Sequence, residues 1–323
     1  MYDALLIVGF GGPEGPDDVM PFLENVTRGR GIPRERLLEV GAHYAHFGGV
    51  SPINAQLRAL VAAVEADFAA HRVPLRVYWG NRNWRPMLAD TMRTMKADGV
   101  TRALALATSA FGSYSGCRQY REDLERAAID GLAIEKLPPF FDHPSFVDAL
   151  VARVTETRVR DARLVFTAHA IPMAQAVTSP YEAQLRAIAA IVAERCGFGA
   201  HDLVFQSRSG PPDQPWLAPD VGDHIDALAA RGERNVLLVP LGFVSDHMEV
   251  VWDLDHQAKA RADAAGVTLI RAATVGTHAK MIAMVRELVL ERLEGRTMRR
   301  LTTLGDGRCD VGCCEPSRGR PRA

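Results

Sequence analysis

The sequence predicts an α/β protein of two doubly wound, Rossmann-like domains, each built on a four-stranded parallel sheet. Three observations carry that prediction. Eight short apolar or β-branched runs alternate with longer segments whose apolar residues recur every three or four positions. The runs fall into two sets of four, and 323 residues are about enough for two domains. Special residues gather just after several runs, where open parallel sheets build their loops and sites.

Taken in order, the first-half strands are expected at Ala4–Phe10, Leu75–Trp79, Ala103–Ala107 and Leu132–Leu137. Those of the second half are expected at Arg163–Thr167, Leu203–Ser207, Asn235–Leu241 and Thr268–Ala272. Asn54–Ala69 and Pro180–Glu194 between them read as amphipathic helices, and His278–Glu294 as a last helix packing back across the junction. Strand–helix alternation implies right-handed crossovers and parallel sheets covered on both faces. The division expected is residues 1–142, 143–298 and a cysteine-bearing extension, 299–323.

Bulk composition excludes several classes. The chain is 47% hydrophobic and 24% charged, with a formal net charge of −1, so no concentrated positive charge invites nucleic acid. The opening MYDALLIVGFGGPEGPDD lacks a basic leader and reads as a first strand rather than a signal peptide. No run approaches the roughly 18 apolar residues of a spanning helix, so no stable membrane insertion is expected. A cytoplasmic location is the default, and a monomer the working expectation. Gly11-Gly12 completes neither common phosphate-loop pattern, which leaves a nucleotide site with weak support.

The chemistry-bearing residues follow strands five and seven: Thr167-Ala168-His169-Ala170-Ile171-Pro172 and Val244-Ser245-Asp246-His247-Met248-Glu249. His169, His247 and Glu249 offer two imidazole nitrogens and a carboxylate, a set suited to a divalent first-row metal. One histidine after a strand is most often structural; two with a nearby carboxylate point to chemistry. Ser245-Asp246 also reads as the cap of a helix beginning near Met248. Five cysteines are too few for a disulfide framework, and Cys309, Cys313 and Cys314 crowd into the tail, which suggests soft-metal or cluster ligation. Cys196 reads as a small buried hydrophobe.

Several segments together resemble the ferrochelatases, enzymes that insert ferrous iron into a porphyrin. They are FGGPEGPDDVMPFL, YAHFGGVSPINAQ, GNRNWRP, TAHAIP, PPDQPWLAP and GFVSDHMEVVWDLD, in order from Leu5 to about Glu294. The resemblance implies a chelatase-like fold and a porphyrin pocket between the lobes. By position it makes His169 the metal-handling, proton-accepting histidine, Glu249 its acidic partner, and His247 a support beside Asp246. It places Tyr44, Ser51 and Arg82 against the propionates, and Trp216 near the macrocycle. Phe10 faces the other side of the ring and cannot ligate iron, so Tyr114 or Tyr120 would have to supply any ligand there.

The same resemblance implies a [2Fe–2S] cluster held by Cys117, Cys309, Cys313 and Cys314, although the tail spacing departs from that of vertebrate members. The polar stretch Gly11–Val40 lacks an apolar lip, which favours coproporphyrin III over protoporphyrin IX as partner for Fe(II). A cobalt or nickel chelatase acting on sirohydrochlorin, or a tetrapyrrole carrier without catalysis, are the alternatives.

Overall fold

The computed structural model describes residues 1–210, 213–305 and 312–315. It contains two four-stranded parallel sheets, ordered β2-β1-β3-β4 and β6-β5-β7-β8. The first comprises β1 (Ala4–Gly9), β2 (Arg76–Asn81), β3 (Arg102–Ala107) and β4 (Ala133–Lys136). The second comprises β5 (Arg163–His169), β6 (His201–Gln206), β7 (Asn235–Val239) and β8 (Thr268–Arg271). β1 pairs on both edges, Ala4 with Arg76 and with Ala103, and all six of its residues are buried. A strand flanked and covered on every side has no use for alternation, which is why ALLIVG is continuously apolar.

Each sheet reverses its strand order once, between β1 and β3 and between β5 and β7. Such a switch point leaves a crevice beyond the strands' carboxyl ends. The strand ends differ from expectation in informative places. β5 continues through His169, so that imidazole stands on the sheet itself and not on the loop after it. β7 stops at Val239 because Pro240 has no N–H to continue the ladder. β2 runs on to Asn81, whose side-chain amide donates to Asn54 Oδ1 at 3.1 Å and to the Arg85 carbonyl oxygen at 3.1 Å.

The long helices sit within a residue of where periodicity placed them: α3 at Ile53–Ala70, then Tyr181–Arg195 and Ala279–Glu294. The polar stretch after β1 folds into α1 (Pro16–Val26) and α2 (Arg34–His46). Their buried residues Val19, Phe22, Leu23, Leu37 and Tyr44 form a satellite cluster closed by Met248 from the second half. Around that cluster Ile32 and Leu38 are exposed, 37% and 52%.

One apolar core runs through both halves. It joins Leu5 and Ile7 of β1, Leu57, Leu60 and Val64 of α3, Phe166 of β5, and Met284, Val285 and Leu288 of the last helix. Removing a buried leucine from such a core costs about 2–5 kcal/mol. Arg286 on that last helix also pairs with Asp67 of α3. The last helix therefore ties the second lobe to the first, as expected.

Candidate active site

His169 and Glu249 meet at the second sheet's switch point. His169 Nε2 lies 3.4 Å from Glu249 Oε2, and its Nδ1 hydrogen-bonds the Ala170 carbonyl oxygen. That second contact assigns the Nδ1 proton and leaves Nε2 directed at the carboxylate. The buried Tyr181 hydroxyl donates to the His169 carbonyl at 3.1 Å and fixes the strand end from below. Close packing adds to this: a Cβ on Gly242 would stand 2.7 Å from Ala168 Cβ, so only glycine lets the chain after β7 pass here.

Glu249 is held by its own backbone. Its N–H donates to His247 Nδ1 at 3.2 Å, and its carbonyl accepts from Gln206 Nε2 at 2.7 Å. His247 is thus the cap of the short helix Met248–Val250. The expectation that Ser245-Asp246 would cap it fails, because Asp246 turns away. Its carboxylate takes Arg271 at 3.2 Å, and its N–H donates to Gln56 Oε1 of α3 at 2.8 Å, bridging the lobes. His247 Nδ1 also lies 3.8 Å from Glu249 Oε2.

The electrostatics follow from this geometry. Burial opposes a charge on His169, but the adjacent Glu249 carboxylate outweighs it and pushes the imidazole up to about 9. Burial would raise Glu249, yet the two imidazoles pull it down to about 2. Burial keeps His247 below the ordinary histidine range. At neutral pH the centre is therefore an imidazolium–carboxylate pair beside a neutral imidazole.

Sequence reasoning missed Asp253. The helix widens to a π-helix over Val251–Ala258, which carries Asp253 within electrostatic reach of Glu249. Burial, with Glu249's charge, raises the Asp253 carboxyl to about 7 against a hydrogen bond from Ser207 Oγ. Ser207 itself sits at φ 63°, a strained setting for a residue with a side chain. The signal available in sequence was an acidic residue four after Glu249, inseparable there from an ordinary helix surface. Equally unforeseen, Trp252 stacks on His43 at 4.1 Å and on His256 at 4.4 Å, fastening α2 to the π-helix.

The other expected residues stand in differing surroundings. Tyr44 is buried beside Met248 and is raised above the usual tyrosine range by burial and by Glu249. An edge-to-face chain runs from Tyr44 through Phe22, 6.1 Å away, to the half-exposed Phe10 at 6.4 Å. Ser51 is buried, its N–H on the Pro13 carbonyl at 2.9 Å. Arg82, expected to meet a propionate, has its side chain only 5% exposed, pairs with Asp123 and covers the Tyr120 ring at 4.4 Å. A carboxylate ligand would have to share it. Trp216 is tied to the loop after His169 by a bridge to Pro172, with its buried Nε1 lacking a hydrogen-bond acceptor among the described residues. The Tyr114 hydroxyl donates to Glu122 at 3.1 Å, and Tyr120 is buried.

The cysteines gather elsewhere. Cys117, Cys313 and Cys314 line one cavity of about 410 Å³ with Gly112, Pro139 and Phe141. Cys309 lies outside the described residues. Cys196 is half-buried, its thiol toward the Val151 carbonyl at 3.8 Å. Among the described residues, no group of three or more His, Cys, Asp or Glu side chains is placed so that it could hold a metal ion, neither His169, His247 and Glu249 nor the three described thiols, and no helix is long and apolar enough to cross a membrane.

Comparison with known proteins agrees with this architecture. A profile of the ferrochelatase family matches residues 2–293. The chain is 51% identical to the coproporphyrin III ferrochelatase of Nocardia farcinica, covering 99% of this chain and 98% of that one. It is 50% identical to the protein of the same name from Streptomyces coelicolor, over 100% and 96%. In fold it is similar to SirB from Bacillus subtilis (TM-score 0.57, 15% identity, 93% of this chain and 100% of that one). CbiX from denitrifying bacteria is similar too (TM-score 0.51, 19% identity, 88% and 97%). With the family profile spanning nearly the whole chain and relatives sharing half its residues, this protein belongs to the ferrochelatase family.

Proposed function

We propose that this protein inserts ferrous iron into coproporphyrin III, with His169 and Glu249 as the pair that exchanges metal for protons. The observation that carries the reading is the 3.4 Å approach of His169 Nε2 to Glu249 Oε2 at the carboxyl end of β5, beside the second sheet's switch point. The full-length relatives named for this activity support it.

The electrostatics give the order of events. In the resting pair the imidazole already holds a proton, held there by Glu249. A ferrous ion arriving at the carboxylate replaces that positive charge with its own, and the imidazole then releases its proton. Metallation releases two pyrrole protons, and Nε2, now neutral, accepts them in turn, passing the first outward before it takes the second. Asp253, poised near pH 7 within the π-helix that follows Glu249, takes protons outward from the pair. His247 stays neutral and holds Glu249 in place through its backbone. A macrocycle bent by the cleft walls would turn its nitrogen lone pairs toward the metal, favouring the transition state over the flat substrate. Tyr44, Ser51, Arg82, Phe10, Tyr114 and Trp216 are read as the porphyrin's surroundings.

Zinc insertion followed by porphyrin fluorescence tests the pair: His169→Ala and Glu249→Gln should each lose about 100-fold or more. Near-normal turnover in either variant would end the reading. Preference for protoporphyrin over coproporphyrin with Fe(II) would overturn the substrate.

The reading includes a [2Fe–2S] cluster on Cys117, Cys309, Cys313 and Cys314. In support, the three described thiols share one cavity, and Cys314 adopts φ 51°, the sharp bend that adjacent cysteines need to face one centre. When bound, such a cluster supplies one-electron redox chemistry and a cross-link between tail and body. Iron and acid-labile sulfide should accompany the purified protein and vanish in Cys117→Ser. We take the enzyme to be a cytoplasmic monomer of two lobes, 1–142 and 143–298, with the tail as extension; cell fractionation and light scattering test this.

A further inference from the structure

The carboxyl end of β6 grips the acid-bearing helix at two successive residues. Gln206, the last residue of β6, stands beside His169 in the parallel register of β5 and β6. Its carbonyl accepts the Ala170 N–H at 2.8 Å, which fixes the chain just after His169. Its side-chain Nε2 donates to the Glu249 carbonyl at 2.7 Å. The backbone of Glu249 is therefore held on both sides, its N–H by His247 Nδ1 and its carbonyl by Gln206. Gln206 is only 1% exposed, and its Oε1 is buried with no hydrogen-bond partner among the described residues. The next residue, Ser207, turns at once into the left-handed region at φ 63° and donates to the Asp253 carboxylate. An orphaned amide oxygen and a strained backbone, side by side, are both costs to the fold. They fall where one residue spans the two members of the reacting pair.

We propose that Gln206 is a positioning residue for iron insertion, setting where the Glu249 carboxylate stands relative to His169 Nε2. The inference rests on the reading of His169 and Glu249 as the exchanging pair. His169 ends β5, whereas Glu249 rides on a short helix beyond β7. Half of the Glu249 side chain faces water, where screened attraction alone holds two charges loosely. Gln206 ties both segments to β6, so their 3.4 Å approach is held by the backbone as well as by charge. Displacing a reacting group by about 1 Å costs on the order of 100-fold in rate. The Gln206 amide acts through the Glu249 backbone and not on the porphyrin. Turnover, and not porphyrin affinity, should therefore carry its loss.

The test uses the full-length protein with Gln206→Met and Gln206→Asn in the zinc-insertion assay with coproporphyrin III. Methionine keeps the length but removes both the donor and the orphan oxygen, so folding should be little disturbed. Asparagine keeps the amide but ends one carbon short of the Glu249 carbonyl. Each is expected to lose about 10–100-fold in kcat, with the porphyrin KM within about twofold of wild type and melting within about 4 °C. In a Glu249→Gln background Gln206→Met should cost less than about threefold more, since the positioned carboxylate is already gone. A kcat within about twofold of wild type in either variant overturns the proposal and leaves the pair standing. A loss fully additive with that of Glu249→Gln overturns it too, as does one that only tracks the fraction of unfolded protein. If Glu249→Gln by itself keeps near-normal turnover, the pair reading falls and takes this inference with it.

Discussion

Glu249→Gln removes the charge that sustains the His169 imidazolium while keeping the side chain's shape. In the native protein that imidazole is pushed up to about 9, against an ordinary 6.5. The gap corresponds to about 3 kcal/mol at 1.36 kcal/mol per pH unit. Half of the Glu249 side chain faces water, so screening reduces this to about 1.5–2 kcal/mol. The His169 midpoint should therefore fall by at least about one pH unit, since burial alone drives it down. The linkage has a definite sign. A raised imidazole contributes stability fully below 6.5 and loses it as pH rises through about 9. A depressed carboxyl contributes fully above 4.5 and loses it as pH falls through about 2. The variant should thus be least stable relative to wild type between about pH 4.5 and 6.5, and the two should converge near pH 10. Nitrogen-15 NMR of the imidazoles reads the midpoint directly. A His169 midpoint within a few tenths of a unit of wild type would refute the pairing, whatever the variant's activity.

Three further outcomes follow from the same geometry. Asp253 has a carboxyl raised from 3.8 to about 7, so its ionisation subtracts stability as pH climbs between those values. Asp253→Asn should melt higher than wild type above pH 7 and alike below pH 3.8 in a thermal series; the reverse order would show that its burial costs nothing. Gly242→Ala puts a methyl 2.7 Å from Ala168 Cβ and should destabilise by about 1–3 kcal/mol in urea, with a shifted His169 imidazole signal. Arg82→Ala leaves Asp123 with the exposed Arg126, at 2.7 Å, and should cost about 3 kcal/mol by denaturant titration. A loss under 0.5 kcal/mol would mean that the Arg82–Asp123 pair is not a structural one.

Much of the fold was legible because parallel strands covered on both faces must be continuously apolar. Ala4–Gly9 and the Leu164–Phe166 centre of β5 both announce themselves this way. The pair of His169 and Glu249 was legible too, since one ends a recognisable strand and the other comes soon after one. What escaped was whatever depends on the widened helix and on contacts between distant segments. The π-helix over Val251–Ala258 has no period that distinguishes it from an α-helix in sequence, so Asp253 looked like surface. His43 and His46 carried no motif, because their meaning arises only when α2 meets Trp252, some two hundred residues later. Arg82 was read as a propionate contact, and its partner Asp123 could be found only in three dimensions. Capping near Met248 was assigned one and two residues early, because His247 competes for the same role through Nδ1.

The apolar core shared by the two sheets has a consequence for how a large, flat substrate is accommodated. Periplasmic-type clamshells swing about a thin hinge and mould themselves to a ligand. Here Val285 and Leu288 of the last helix lie in one packed interior with Leu57 and Leu60 of α3, and parting the lobes would tear that interior open. The jaws are stiff, so compliance has to come from the guest. A ring forced to yield against unyielding walls reaches its reactive shape on the strength of its own binding.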